Sequence, residues 1–202
     1  MKNSLIIVGF FSLGVFLGVG RYLPEVVVAN NFSMYALYVL TLFIGIGIGA
    51  DKNSWNVIKK INLRIALVPV SIVIGTLIGA SSVSLFLPDL KLNEVVAVSF
   101  GFGYYSLTSL YIREISGDTL GVIALVSNIL REIFTLVLTP LMVKYFGKLA
   151  GIASGGATSM DTTLSVIVKY TGKEWAMISL FSGIVLTLVV PFLVTFTLEV
   201  FR

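Results

Sequence analysis

Gly155-Gly156-Ala157-Thr158-Ser159-Met160-Asp161-Thr162-Thr163 is a run of small and hydroxyl residues around one carboxylate, set inside an apolar stretch from Leu149 to Val168. In water such a run would be an ordinary loop. Here it is surrounded by a chain that is 57% hydrophobic and 12% charged, with a mean hydropathy of +1.02. Soluble domains carry about 25% charged residues, and charges this sparse cannot clothe a soluble core of 202 residues. The bilayer is therefore the solvent, and unpaired backbone there costs several kcal/mol per group. A Gly-rich polar run at that depth must be buried in protein or line a wet cavity. The simpler alternative is that small residues only permit tight helix crossing.

Outward from this stretch, a window of about 19 residues finds seven apolar segments. They run Leu5 to Gly20, Phe32 to Ala50, Ile65 to Leu87, Val95 to Ile112, Leu120 to Val143, Leu149 to Val168 and Trp175 to Phe201. The expected fold is an all-α integral membrane protein of about seven transmembrane segments, forming one polytopic domain over residues 1–202. The densest basic cluster, Lys52, Lys59, Lys60 and Arg64, lies between segments two and three and is expected in the cytoplasm. If all seven segments cross, the N-terminus is inside and the C-terminus outside, with eight basic residues inside and five outside. Lys2 before the first apolar run suggests a signal peptide, but the A-x-A cleavage site is missing and cleavage is not expected. Gly14/Gly18, Gly45/Gly49 and Gly75/Gly79 have the spacing of close helix packing, and Trp55 and Trp175 read as interfacial anchors.

Two segments are expected to be discontinuous. Segment six holds the opening run, and segment four holds Gly101-Phe102-Gly103-Tyr104-Tyr105-Ser106-Leu107-Thr108-Ser109. Broken helices of this kind form midplane sites in secondary transporters. Segment five adds Asn128, Arg131 and Glu132 at mid-membrane, where a charge costs about 3 kcal/mol or more and is normally paired. Asn128 and Glu132 share a helix face, while Arg131 points about 100° away and is expected to meet Asp161 on another helix. That pair would be either a structural ion pair or part of a site where Asp161 or Glu132 meets a substrate ammonium or a proton.

The chain has no Cys and no His, which excludes disulfides, thiolate or imidazole metal sites, His-based triads and His proton relays. It has no G-x-x-x-x-G-K-[ST] loop for ATP, so no cofactor is expected and transport energy would come from an ion gradient or the membrane potential. The net charge of +4 reflects topology, not nucleic-acid binding. An intramembrane aspartyl protease is the competing enzyme reading, carried by Gly45-Ile46-Gly47-Ile48-Gly49-Ala50-Asp51. An Ala separates Gly49 from Asp51, and Asp51 opens the most basic loop, which favours an exposed interfacial residue.

Taken together, Gly101 to Leu107, Asn128-x-x-Arg131-Glu132 and Gly156 to Leu164 resemble the lysine exporter family (LysO type). The resemblance covers this whole chain and the C-terminal two-thirds of a typical member, which has about three more spans before it. It implies export of L-lysine, and of toxic analogues such as thialysine, across the cytoplasmic membrane in exchange for a cation, either proton or sodium. It also implies a split exporter with a companion membrane polypeptide, and dimerisation is expected besides. Another cationic solute is the alternative substrate. Asp161 would be the family's functional carboxylate. Ser165 stands where a Pro is common, a departure just beyond the motif. Lysine brings two ammonium groups and a carboxylate. The candidate binding residues are therefore Asp161, Ser159, Thr158, Thr162, Gly155 and Gly156, with Asn128, Arg131 and Glu132, and Tyr104, Tyr105 and Ser106 on the opposite wall.

Overall fold

A computed structural model describes residues 63–200 without interruption and, before them, only Leu13, residues 16–20, Tyr22, Tyr35, Val39, Leu42, Ile46 and Ala50. The chain divides into compact units at residues 1–36 and 37–202. In the first, residues 16–19 are helical. The expectations for segments one and two, the basic loop, Trp55 and Asp51 lie almost wholly outside the described residues.

In the second unit all regular structure among the described residues is helical, with no strand among them. The order is α1 (Leu63–Ser84), α2 (Leu92–Ser99), α3 (Tyr105–Ser116), α4 (Asp118–Phe146), α5 (Lys148–Gly155), the 3-10 turn η1 (Gly156–Met160), α6 (Leu164–Thr171), the 3-10 turn η2 (Lys173–Trp175) and α7 (Ala176–Val200). Three stretches, Ile65–Ser84, Asp118–Phe146 and Lys173–Val200, are long and apolar enough to cross a membrane. The other four α-helices have 8 to 12 residues. At 1.5 Å per residue these reach about 12–18 Å, well short of a hydrocarbon core of about 30 Å.

Segments four and six are thus each built from two short helices joined by a turn. In α5 and α6, the position of a Cβ on Gly155 lies 2.8 Å from Thr163 Oγ1, and one on Gly151 lies 3.9 Å from Ile167. The two helices therefore run side by side. Lys148, at the start of α5, pairs with Glu174, just past α6, at 3.2 Å and sits 5.7 Å over the Trp175 ring.

The core lies where α7 meets both short-helix pairs. Leu186, Val190 and Val194 of α7 are fully buried, as are Phe102, Leu107, Ile112, Ile152 and Ile167. Lipid tails are as apolar as these side chains, so close packing rather than the hydrophobic effect holds such helices together. Gly183 of α7 fits that rule, because a Cβ there would fall 2.7 Å from Met160 N. The Gly75/Gly79 pair does not, since no described atom comes within 4 Å of a Cβ at either position.

Candidate functional site

The two turns that interrupt the short-helix pairs meet each other. Phe102 has φ 48°, a left-handed backbone unusual for a side chain of its size, and its carbonyl accepts the Ala157 N–H at 3.0 Å. Gly156 packs on the same carbonyl with φ 58°, and a Cβ there would sit 2.6 Å from the Phe102 oxygen. Only glycine supplies both that dihedral and that clearance. The contact joins the Gly101–Tyr105 turn to the Gly156–Met160 turn.

Helix ends inside a membrane leave backbone groups that water cannot satisfy. One turn of α4 supplies their partners. Asn128 is 2% exposed; its amide nitrogen donates to Val98 O (3.0 Å) and Ala124 O (2.9 Å), and its oxygen accepts the Gly103 N–H at 2.8 Å. Gly101 must be small for the same reason, since a Cβ there would lie 2.6 Å from the Asn128 amide. Arg131 donates from Nε to Ser154 O and from Nη2 to Ala153 O, both at 3.1 Å, at the C-terminal end of α5. It also lies 5.7 Å from the Phe102 ring centroid. A cation at a helix C-terminus meets both the orphan carbonyls and the negative end of the helix dipole.

This corrects the expected Arg131–Asp161 pair. Among the described residues the ion pairs are Arg113–Asp118 and Lys148–Glu174, both exposed, and Arg131 is turned to carbonyls instead. The guanidinium is directed by backbone geometry, not by the nearest negative charge.

Thr158 and Ser159 are buried and their hydroxyls are committed to structure. Thr158 Oγ1 donates to Gly155 O at 2.9 Å, and Ser159 Oγ to Gly156 O at 2.6 Å. Ser159 and Ser179 exchange bonds, Ser159 Oγ to Ser179 O at 3.0 Å and Ser179 Oγ to Ser159 O at 2.8 Å, which fastens η1 to α7. Gly155, Gly156, Thr158 and Ser159 therefore shape the turn.

Asp161, Thr162, Glu132, Tyr104 and Tyr105 form a different group. Asp161 and Thr162 are exposed, while Glu132, Tyr104, Tyr105 and Ser106 are half-buried. The Asp161 carboxylate accepts the Thr162 N–H at 2.5 Å, and the Thr162 hydroxyl is within reach of Glu132. Tyr105 lies within electrostatic range of both carboxylates, and Tyr104 of Asp161. Neither acid has a Lys or Arg within ion-pair distance among the described residues. Chemically, two carboxylates with no cation paired to them among the described residues, flanked by hydroxyls, can receive a cation that also donates hydrogen bonds.

The sequence reading did not single out Phe102 as the point of contact, nor Ser179, Ser154, Thr135 and Thr163. Thr135 Oγ1 lies 2.6 Å from Ser154 Oγ and Thr163 Oγ1 donates to Thr158 O at 3.0 Å. Hydroxyl residues in otherwise apolar helices, such as Thr135 and Ser179, were the available signal.

A family profile described as "Lysine exporter LysO" matches residues 8–198. Two relatives are similar over most of the chain. The "Lysine exporter LysO" of Escherichia coli K12 is 32% identical over 170 residues, covering 83% of this chain and 55% of that protein. The "Putative lysine exporter" of Haemophilus influenzae is 32% identical over 169 residues, covering 83% of this chain and 84% of that protein. The chain thus spans about half the length of the first and most of the second. No solved structure matches it. The chain belongs to the lysine exporter LysO family, which is a family of transporters and removes the protease reading.

Proposed function

We propose, with membership of the lysine exporter family as the premise, that this chain is the transport core of a secondary transporter that moves L-lysine out of the cell across the cytoplasmic membrane. The observation that carries the reading is the family match over residues 8–198, because it includes every residue of the acid pair and of both turns. Lysine suits the site chemically. Its ammonium groups would engage Asp161 and Glu132, with Tyr104, Tyr105, Ser106 and Thr162 offering hydroxyls around them.

A coupling cation, proton or sodium, would compete for the same carboxylates, which is the simplest basis for antiport. Asn128, Arg131, Thr158 and Ser159 would act by holding the two turns in place. All seven apolar segments would lie in one polytopic domain with N-terminus inside and C-terminus outside. The part of the longer E. coli relative that this chain does not cover would come from a companion membrane polypeptide, and a homodimer fits the same scheme.

The test is efflux of labelled lysine from cells lacking their own exporter, with this chain expressed alone and with its companion. Efflux lost in Asp161→Asn and Glu132→Gln, at unchanged membrane abundance, is the expected result. Efflux retained at full rate in Asp161→Asn would overturn the site assignment. No lysine efflux under either condition, with efflux of another cationic solute, would move the substrate and leave the transporter reading standing.

A further inference from the structure

We infer that α2–α3 and α5–α6 are two re-entrant hairpins that enter the membrane from opposite faces and meet tip to tip, so that between residues 63 and 200 only α1, α4 and α7 cross. The inference rests on the chain being embedded in a bilayer and is independent of what it carries.

The second hairpin is fixed by its base. Two eight-residue helices in line, separated by the residues between them, would hold Lys148 and Glu174 about 40 Å apart. They are 3.2 Å apart. Both ends of the hairpin therefore emerge at one face, the face at which α4 ends at Phe146 and α7 begins.

The first hairpin follows from the clefts beside α1. A cavity of about 420 Å³ is lined by Leu67, Ser71 and Ile72 of α1 together with Leu149 and Ala153 of α5, so the first half of α1 lies against the second hairpin. At the other end of α1, a cavity of about 230 Å³ is lined by Val83 and Leu87 together with Val95 of α2 and Ile123 and Ser127 of α4. The end of α1 and the start of α4 thus share a face. The chain leaves that face in α2 and returns to it in α3, because α3 ends at Ser116 and α4 begins at Asp118. Gly121 agrees, since a Cβ on it would lie 2.7 Å from Arg113 Cβ as α3 and α4 run back against each other. The tips are the Phe102 and Gly156 turns already seen in contact.

Charge sorts cleanly on this threading. Lys144, Lys148, Lys169 and Lys173, with Glu174 among them, lie on one face, the face at which α1 begins. Lys91 and Arg113 remain on the other, along with Asp89, Glu94, Glu114, Asp118 and Glu199. Basic residues concentrate on the cytoplasmic side of membrane proteins, so the α5–α6 base is cytoplasmic and the α2–α3 base external. Seven full crossings would instead put Lys144 and Lys148 outside and Arg113 inside.

The native chain has no Cys, so it is its own background for single-cysteine mapping. Asp89→Cys, Thr119→Cys, Tyr145→Cys and Lys173→Cys all fall at exposed positions outside the candidate site. Each full-length variant is probed in intact cells with a membrane-impermeant maleimide and again after permeabilisation. Asp89 and Thr119 are expected to label in intact cells, Tyr145 and Lys173 only after permeabilisation. Labelling that places Asp89 and Thr119 on opposite faces, or Tyr145 and Lys173 on opposite faces, overturns the hairpins. Both pairs labelling together but from the reversed sides would keep the hairpins and overturn the orientation. If Thr119→Cys or Tyr145→Cys fails to insert, Ser116 and Lys144 are exposed substitutes at the same ends of α4.

Discussion

The two turns at the centre of the molecule face the same problem and receive different answers. The Phe102 turn leaves a carbonyl, Val98 O, with only a long 3.3 Å bond from the Gly101 N–H, and the Gly103 N–H free of the helix ladder, and is met by Asn128, which donates to the first and accepts from the second. The end of α5 leaves two carbonyls and is met by Arg131, which only donates. Each side chain matches the type of group it must satisfy. The consequence is electrostatic as well as structural: the amide adds no charge, whereas the guanidinium sets a cation on the carbonyls at the end of α5 and over the Phe102 ring.

The comparison can be broken most severely at Gly156. Gly156→Ala puts a methyl 2.6 Å from the Phe102 carbonyl at φ 58°, so the turns must part. Loss of lysine efflux and a fall of about 3 kcal/mol or more in the stability of the detergent-extracted protein are expected, read by transport and thermal unfolding. Near-normal efflux would show that the tips need not touch.

The comparison is sharpened by exchanging each cap for its nearest chemical relative. Asn128→Asp keeps an acceptor for Gly103 but aims carboxylate oxygen at Val98 O and Ala124 O. Arg131→Lys keeps the charge and loses the fork that reaches two carbonyls. Asn128→Asp is expected to cost about 2–4 kcal/mol, and Arg131→Lys about 1.5–3 kcal/mol, the value of one charge-assisted hydrogen bond. Thermal unfolding of the two variants side by side checks the order, and the reverse order would mean that charge, not donor and acceptor matching, decides the fit.

Much of this centre was legible in the sequence. Glycines and hydroxyls inside apolar runs drew attention to the two stretches in which short helices and turns meet, because lipid cannot solvate open backbone. The threading was not legible, since an 18- to 20-residue apolar stretch has the same hydropathy whether it crosses once or folds back as two short helices. Arg131 was misplaced for a related reason: a sequence displays charged side chains but hides the carbonyls at the end of α5 that the guanidinium prefers. Thr158 and Ser159 read as ligands by type, and their bonds to Gly155, Gly156 and Ser179 were not legible from residue type alone.

The smallest effect belongs to a position that neither turn touches. Gly79 lies within α1 with no described atom within 4 Å of a Cβ. Gly79→Ala should leave efflux unchanged and raise stability by up to about 1 kcal/mol through helix propensity, as read by thermal unfolding. A clear loss of efflux would instead reveal a close partner on that face.

Asn128 and Arg131 stand three residues apart on one helix. A slide or roll of α4 cannot release one turn while leaving the other gripped, because both grips are teeth on the same shaft. Any displacement of α4 is thereby felt at both turns at once, and neither turn can rearrange independently of the other while both grips hold.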